Sequence, residues 1–216
     1  RPFDALMLSV GDGHWLYVEE CGHRDGIPVV FLHGGPGSGS QHAHRELFDP
    51  GRFHSILFDQ RGAGRSHPYL SREANTTAHQ IADIERIRDF FGIERWLVVG
   101  GSWGSTLGLA YAQAHPERVA GLVLRAIFLG TDEEIQWAFI DGPKRFRPEL
   151  YKAFVHELPV AERADPLAAY VARLCDPDPG VYGPAAQVWN AYERALSEIA
   201  PASPVLPDRA SAKGAR

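Results

Sequence analysis

The chain has 216 residues, 44% of them hydrophobic and 23% charged, with a formal net charge of −5. That is the profile of an ordinary globular protein with room for one large domain, or one domain and an insertion. No block of like charges suits nucleic acid or an anionic membrane, and no stretch is apolar enough to span a bilayer. With no signal-like N-terminus either, a cytoplasmic protein is expected.

Taken in order, the chain alternates strand and helix signals. Ala5–Val10 and His14–Glu20 flank Gly11-Asp12-Gly13 and are predicted to form a hairpin. Pro28–His33 and Phe53–Asp59 are short apolar runs of buried-strand type. Thr77-x-x-Gln80 reads as a capping box, followed by Ile81, Ile84, Ile87 and Phe91 at helical spacing until Gly92 closes the helix. Trp96–Val99 is a further buried strand, Thr106–Ala114 a helix and Val119–Arg125 a sixth strand. From Thr131-x-x-Glu134, a second capping box, the remainder reads helical, at about 132–141, 148–157, 161–174 and 184–198. The pattern predicts an α/β fold with a doubly wound, mostly parallel sheet, a hairpin at its start and an inserted helical cap. Residues 1–129 would form the core and 130–200 the cap. Residues 201–216, proline-rich and then polar, would be a linker or disordered tail.

Chemistry concentrates in the loops. Gly100-Gly101-Ser102-Trp103-Gly104 matches G-x-S-x-G between a predicted strand and a predicted helix. Such an elbow holds a serine hydroxyl clear of the sheet, beside the N–H groups and positive dipole of a helix N-terminus. Acyl transfer needs both a nucleophile and donors for the developing oxyanion. The alternative is a plain small-residue turn. His33-Gly34-Gly35-Pro36-Gly37 suits a second oxyanion donor and fits neither phosphate-loop pattern. His33, at a strand end, reads as structural rather than as a base. Asp59 to Ser66 reads as a hydrogen-bonded scaffold, and His42-Ala43-His44 as a solvated loop without a third metal ligand. Cys21 and Cys175 form no metal or redox pattern and read as free thiols.

These loops together resemble the prolyl aminopeptidases (proline iminopeptidases) of the α/β-hydrolase fold, from about Gly11 to Ala200. The matching stretches are HGGPG at 33–37, DQRGAGRS at 59–66, NTT at 75–77, ADIERIR at 82–88 and GGSWGS at 100–105. The resemblance implies a serine peptidase, without cofactor or metal, that removes an N-terminal proline from small peptides. Ser102 would be its nucleophile. The N–H groups of Trp103 and Gly35 would form the oxyanion hole, with Gly34 lining the same loop. The family's cap motif W-x-x-W-E falls here on Trp189, Tyr192 and Glu193, tyrosine replacing the second tryptophan. The resemblance implies that Glu193 would hold the substrate's free amine, helped by Trp189 one helical turn away, and that Tyr192 would also bind substrate, its tyrosine changing the pocket wall. A solvated helix glutamate is the alternative.

In this fold the triad runs serine, acid, histidine along the chain. After Ser102 the histidines are His115, near the end of the helix that the serine begins, and His156, in the helical insertion. Neither follows an acid on a late strand, so the triad Asp and His are expected to lie outside this chain. The chain reads as a fragment, inactive alone, that lacks the C-terminal sheet strands. Two other readings stay open: a truncated, non-catalytic α/β-hydrolase-like protein, or a hydrolase of other small amides or esters.

Overall fold

The structure, a computed structural model, describes residues 1–198. The predicted tail, 201–216, lies outside the described residues. Two compact units divide at Gly130 and Thr131.

The first unit is built on six strands: β1 (Asp4–Gly11), β2 (His14–Gly22), β3 (Ile27–Leu32), β4 (Phe53–Phe58), β5 (Trp96–Ser102) and β6 (Val119–Ile127). They lie in the order β1-β2-β4-β3-β5-β6. β1, β2 and β4 pair antiparallel, whereas β4, β3, β5 and β6 run parallel. The hairpin turns on Asp12 and Gly13, both at positive φ (54° and 76°), the geometry whose twist matches the flanking strands. Three helices belong to this unit: α1 (His42–Arg45), α2 (Thr77–Phe90) and α3 (Trp103–Ala114). Ile84 and Ile87 of α2 and Leu107 and Tyr111 of α3 bury against Val30, Leu32, Phe58, Trp96 and Val98. Phe48, after α1, packs on the opposite face with Val29, Phe31 and Leu57. Central strands covered on both faces explain their uninterrupted apolar sequences. β6 is the outer strand beside β5, and Leu122, Val123 and Ile127 on it are exposed.

Beneath the hairpin lies a buried ion pair. The Arg61 guanidinium has no exposed side-chain surface and grips Asp83 of α2 with two bonds, Nε to Oδ2 at 2.6 Å and Nη2 to Oδ1 at 2.8 Å. It also donates to Asp12 (3.0 Å), the Ala74 carbonyl (2.6 Å) and the Val10 carbonyl (3.3 Å).

The second unit is helical: α4 (Asp132–Gln136), continuing through a π-turn (Trp137–Asp141) into α5 (Gly142–Phe146), then α6 (Pro148–His156), α7 (Pro166–Leu174) and α8 (Pro179–Ser197). Thr131 caps α4 by accepting the Glu134 N–H. The unit's core is an aromatic stack: the Phe154 ring lies 3.8 Å from Tyr192 and 4.4 Å from Tyr170, both nearly parallel, and Trp189 packs on its edge.

Several boundaries differ from the sequence reading. The α2 cap is Thr76, not Thr77; its N–H meets His79 Nδ1, while the Gln80 amide donates to Asn75. α7 begins at Pro166 rather than 161, because Asp165 caps it and proline suits the first helical position. The 160–162 segment is a single 3₁₀ turn. α8 begins at Pro179 rather than 184, since Asp178 accepts the Gly180 N–H and leaves Pro184 inside the helix. The 132–141 helix extends to 146 through its π-turn. His42-Ala43-His44 is not a solvated loop but part of α1, with the His44 ring 4.4 Å from that of Phe31. Cys21 is buried, Cys175 is exposed, and neither is bonded to another cysteine.

Candidate active site

Ser102 is the last residue of β5 and the N-terminal flank of α3, held at φ 56°, ψ −125°. A non-glycine residue in that region is strained, and a strained residue persists only where its surroundings over-determine it. The two motif glycines supply that constraint. A Cβ on Gly100 would stand 2.2 Å from the Gly104 carbonyl oxygen, and one on Gly104 would stand 2.1 Å from that of Leu32. Strand β5, helix α3 and the end of β3 therefore meet at distances only glycine permits. Ser105 locks the turn from behind: its hydroxyl donates to the Ser102 carbonyl (2.6 Å) and accepts the Phe128 N–H (3.1 Å). Ser102 itself is exposed.

The glycine loop after β3 lies against this serine. A Cβ on Gly34 would be 3.4 Å from Ser102 Cβ and 4.0 Å from its Oγ. Gly35 follows at φ 115°, a conformation that excludes other residues. Thus the structure brings Ser102, Trp103 and Gly34-Gly35 together in the first unit. The helix α3 aims its N-terminus and its first N–H groups at the same place.

The loop is braced by Asp59, whose side chain is almost fully buried. Asp59 Oδ1 accepts from the Ser40 N–H and hydroxyl (2.6 Å each), and Oδ2 from the Arg65 N–H (2.9 Å) and Nε (2.8 Å). Burial alone would raise its carboxyl pKa, but the hydrogen bonds from Arg65 and Ser40 outweigh it and hold it below the usual aspartate value. A carboxylate with a depressed folded pKa stabilises the fold above its unfolded value of about 3.9, and that stability drains away as pH falls toward the folded value. Asp59→Asn is therefore expected to flatten the acid limb of stability against pH, measured by urea unfolding below about pH 4. An unchanged acid limb would contradict this role.

Three histidines, His33, His115 and His156, are the candidates for a base that the sequence offers. His33 is fully buried, its Nε2 accepting the Gln60 N–H at 2.9 Å. Nδ1 therefore carries the proton and donates to the Gly34 carbonyl at 2.9 Å. Burial lowers its pKa, against the opposing effect of that bond, so the ring is neutral and structural. His115 caps the C-terminus of α3, about 20 Å from Ser102 by helix rise, and tilts against Tyr111. His156 belongs to the second unit and bonds the Lys152 carbonyl. Within the first unit, neither the buried His33 nor the distant His115 is placed to act as a base for Ser102.

In the second unit Trp189 and Glu193 share one face of α8, and Glu193 is exposed at the surface. Partial removal from water by its neighbours raises its carboxyl pKa above the ordinary glutamate value, opposed by a hydrogen bond from Trp189. Tyr192, placed on a pocket wall by the sequence resemblance, has no exposed surface. It stacks on Phe154 and donates its hydroxyl to the Phe139 carbonyl at 2.8 Å. The residue that sequence reasoning passed over is Gln60, 2% exposed, whose side chain joins His33 to Trp103. Only its place in the polar loop after β4 marked it.

Among the described residues no helix is long and apolar enough to cross a membrane.

The model of the alpha/beta hydrolase fold family matches residues 27–162. The chain is 47% identical over 196 residues to a proline iminopeptidase of Xylella fastidiosa, covering 91% of this chain and 63% of that protein. It is 47% identical over 202 residues to one of Neisseria gonorrhoeae (93% and 65%). With one of Arabidopsis thaliana it shares 45% over 202 residues (93% and 53%). The chain thus spans less than two thirds of these relatives' own length. Among solved structures, a proline iminopeptidase of Mycobacterium smegmatis superposes with a TM-score of 0.59 at 20% identity, over 94% of this chain and 73% of that one. A Vigna radiata epoxide hydrolase mutant gives 0.54 at 24%, over 79% and 54%. At such identities the structures speak for the fold alone. The chain belongs to the α/β-hydrolase fold family, and the relatives it matches over nine tenths of its own length carry the name proline iminopeptidase.

Proposed function

We propose that the protein is a serine aminopeptidase that releases N-terminal proline from small peptides in the cytoplasm. The observation that carries this is the exposed, strained Ser102 on its β5–α3 elbow, packed so close to the Gly34-Gly35 loop that a Cβ on Gly34 would lie 3.4 Å from Ser102 Cβ, in a chain whose relatives are named proline iminopeptidases. Ser102 Oγ adds to the carbonyl carbon of the proline residue. Its proton passes to a general base. The resulting oxyanion is received by the N–H groups of Trp103 and Gly35, with Gly34 leaving room for it. Collapse breaks the C–N bond, the amine leaves with a proton, and water then hydrolyses the prolyl ester. Acyl transfer of this kind needs no cofactor or metal.

Glu193 on α8 is the acceptor for the substrate's ammonium group, with the Trp189 ring beside it. Trp189 is in turn fixed by the aromatic core to which Tyr192 belongs. Only the ionised carboxylate attracts the ammonium, so its raised pKa places the loss of binding at higher pH than for an ordinary glutamate.

Proline naphthylamide supplied to the natural full-length protein should be hydrolysed, and N-acetylproline naphthylamide should not. Equal rates on the two, or hydrolysis of neither, would defeat the reading. Glu193→Gln is expected to weaken free-amine substrates by roughly 10- to 100-fold and to spare N-blocked esters. Equal losses on both would assign Glu193 to the fold instead.

A further inference from the structure

We propose that Gln60 is a positioning residue for the oxyanion hole, fixing the direction of one N–H donor and the place of the other; this rests on the serine-hydrolase reading of Ser102. Gln60 is 2% exposed, and each of its polar groups on this side is used. Its side-chain Nε2 donates to the His33 carbonyl (2.9 Å), and Oε1 accepts from the Trp103 indole Nε1 (2.9 Å). Its backbone N–H donates to His33 Nε2 (2.9 Å), which leaves the proton on Nδ1, bonded to the Gly34 carbonyl at 2.9 Å.

The Gly34 carbonyl and the Gly35 N–H belong to one peptide unit. That unit is planar and trans, so fixing the C=O in one direction aims the N–H in the opposite one. The Gln60 backbone N–H holds the His33 ring in this state whatever the side chain, and the Gln60 side-chain amide, bonded to the His33 carbonyl, fixes the place of the Gly34-Gly35 loop that follows. Through the indole it also anchors the side chain of Trp103, whose own N–H is the second donor. A single buried side-chain amide thus joins His33 and Trp103, 27 residues before it and 43 after it, whose segments must sit within hydrogen-bond distance of one oxygen. Such geometry matters most in the transition state, when the oxygen carries its charge, and least in ground-state binding.

Gln60→Leu keeps the volume and removes both side-chain bonds. Trp103→Phe removes the indole donor and keeps the backbone N–H. Each, made in the natural full-length protein, is expected to lower kcat for proline naphthylamide about 10- to 100-fold with KM changed less than about threefold. The double variant should lose little more than the worse single, because both cut the same bridge. A fluorophosphonate probe, in which the serine oxygen displaces fluoride from phosphorus, reports Ser102 reactivity whatever the natural substrate. Its labelling rate, corrected for the folded fraction by thermal melting, should fall in parallel. Unchanged labelling in Gln60→Leu, or losses that track only the folded fraction, would overturn the positioning role. Wild-type labelling without proline-amide hydrolysis would overturn the aminopeptidase reading and leave the Gln60 test standing; no wild-type labelling would overturn both.

Discussion

Ser102→Ala in the natural full-length protein is expected to remove hydrolysis of proline amides and esters almost completely, by roughly 10⁶-fold in kcat where serine hydrolases of comparable design have been dissected. The reason is specific to the site. Ser105 is fully buried and already engaged between the Ser102 carbonyl and the Phe128 N–H, so it cannot substitute as nucleophile. What survives is the oxyanion hole, whose donors are backbone groups that the substitution leaves in place. A residual of about 10³- to 10⁴-fold over water is the expected floor. Alanine at φ 56° is no better suited than serine, and the side chain is exposed, so stability should change by less than about 0.5 kcal/mol. Undiminished turnover, with an unchanged melting curve, would remove Ser102 from the mechanism.

The largest loss of stability is expected from Asp83→Ala. Arg61 would keep its charge, with no exposed side-chain surface and only Asp12 and two carbonyls as partners. Breaking one side of a buried pair costs about 3–5 kcal/mol, because the remaining ion is uncompensated. Asp12, half exposed at the hairpin turn, cannot replace a two-bond carboxylate. Urea unfolding is the measurement, and a loss under about 1 kcal/mol would contradict the assignment. Replacing both partners by apolar residues, as in Arg61→Met with Asp83→Leu, should cost much less than the single change.

Most strands were legible because central parallel strands are covered on both faces and leave unbroken apolar runs, as at Val29–Leu32 and Trp96–Val99. The elbow was legible for a different reason. Backbone approaches near 2 Å from a notional Cβ force glycine at 100 and 104, and forced glycines are visible in any sequence. Cap positions were harder, since Thr76 and Thr77 are chemically equal and only the extended backbone of Thr76 selects it. Pro179 and Pro184 posed a similar choice, decided by the Asp178 side chain. The packing of Tyr192 was not legible from motif position, because register along α8 says nothing of which aromatic the core at Phe154 absorbs. Gln60 was passed over since its partners, His33 and Trp103, lie 27 and 43 residues away, beyond any local pattern.

The most direct measurement is mass spectrometry of the natural full-length protein quenched in acid within milliseconds of mixing with a proline ester. The prolyl ester of Ser102 is the intermediate through which all turnover must pass. The expected result is a mass gain of one prolyl group, located by fragmentation on Ser102 and absent from Ser102→Ala. Consumption of substrate with no adduct at any quench time, or an adduct on another residue, would contradict the account.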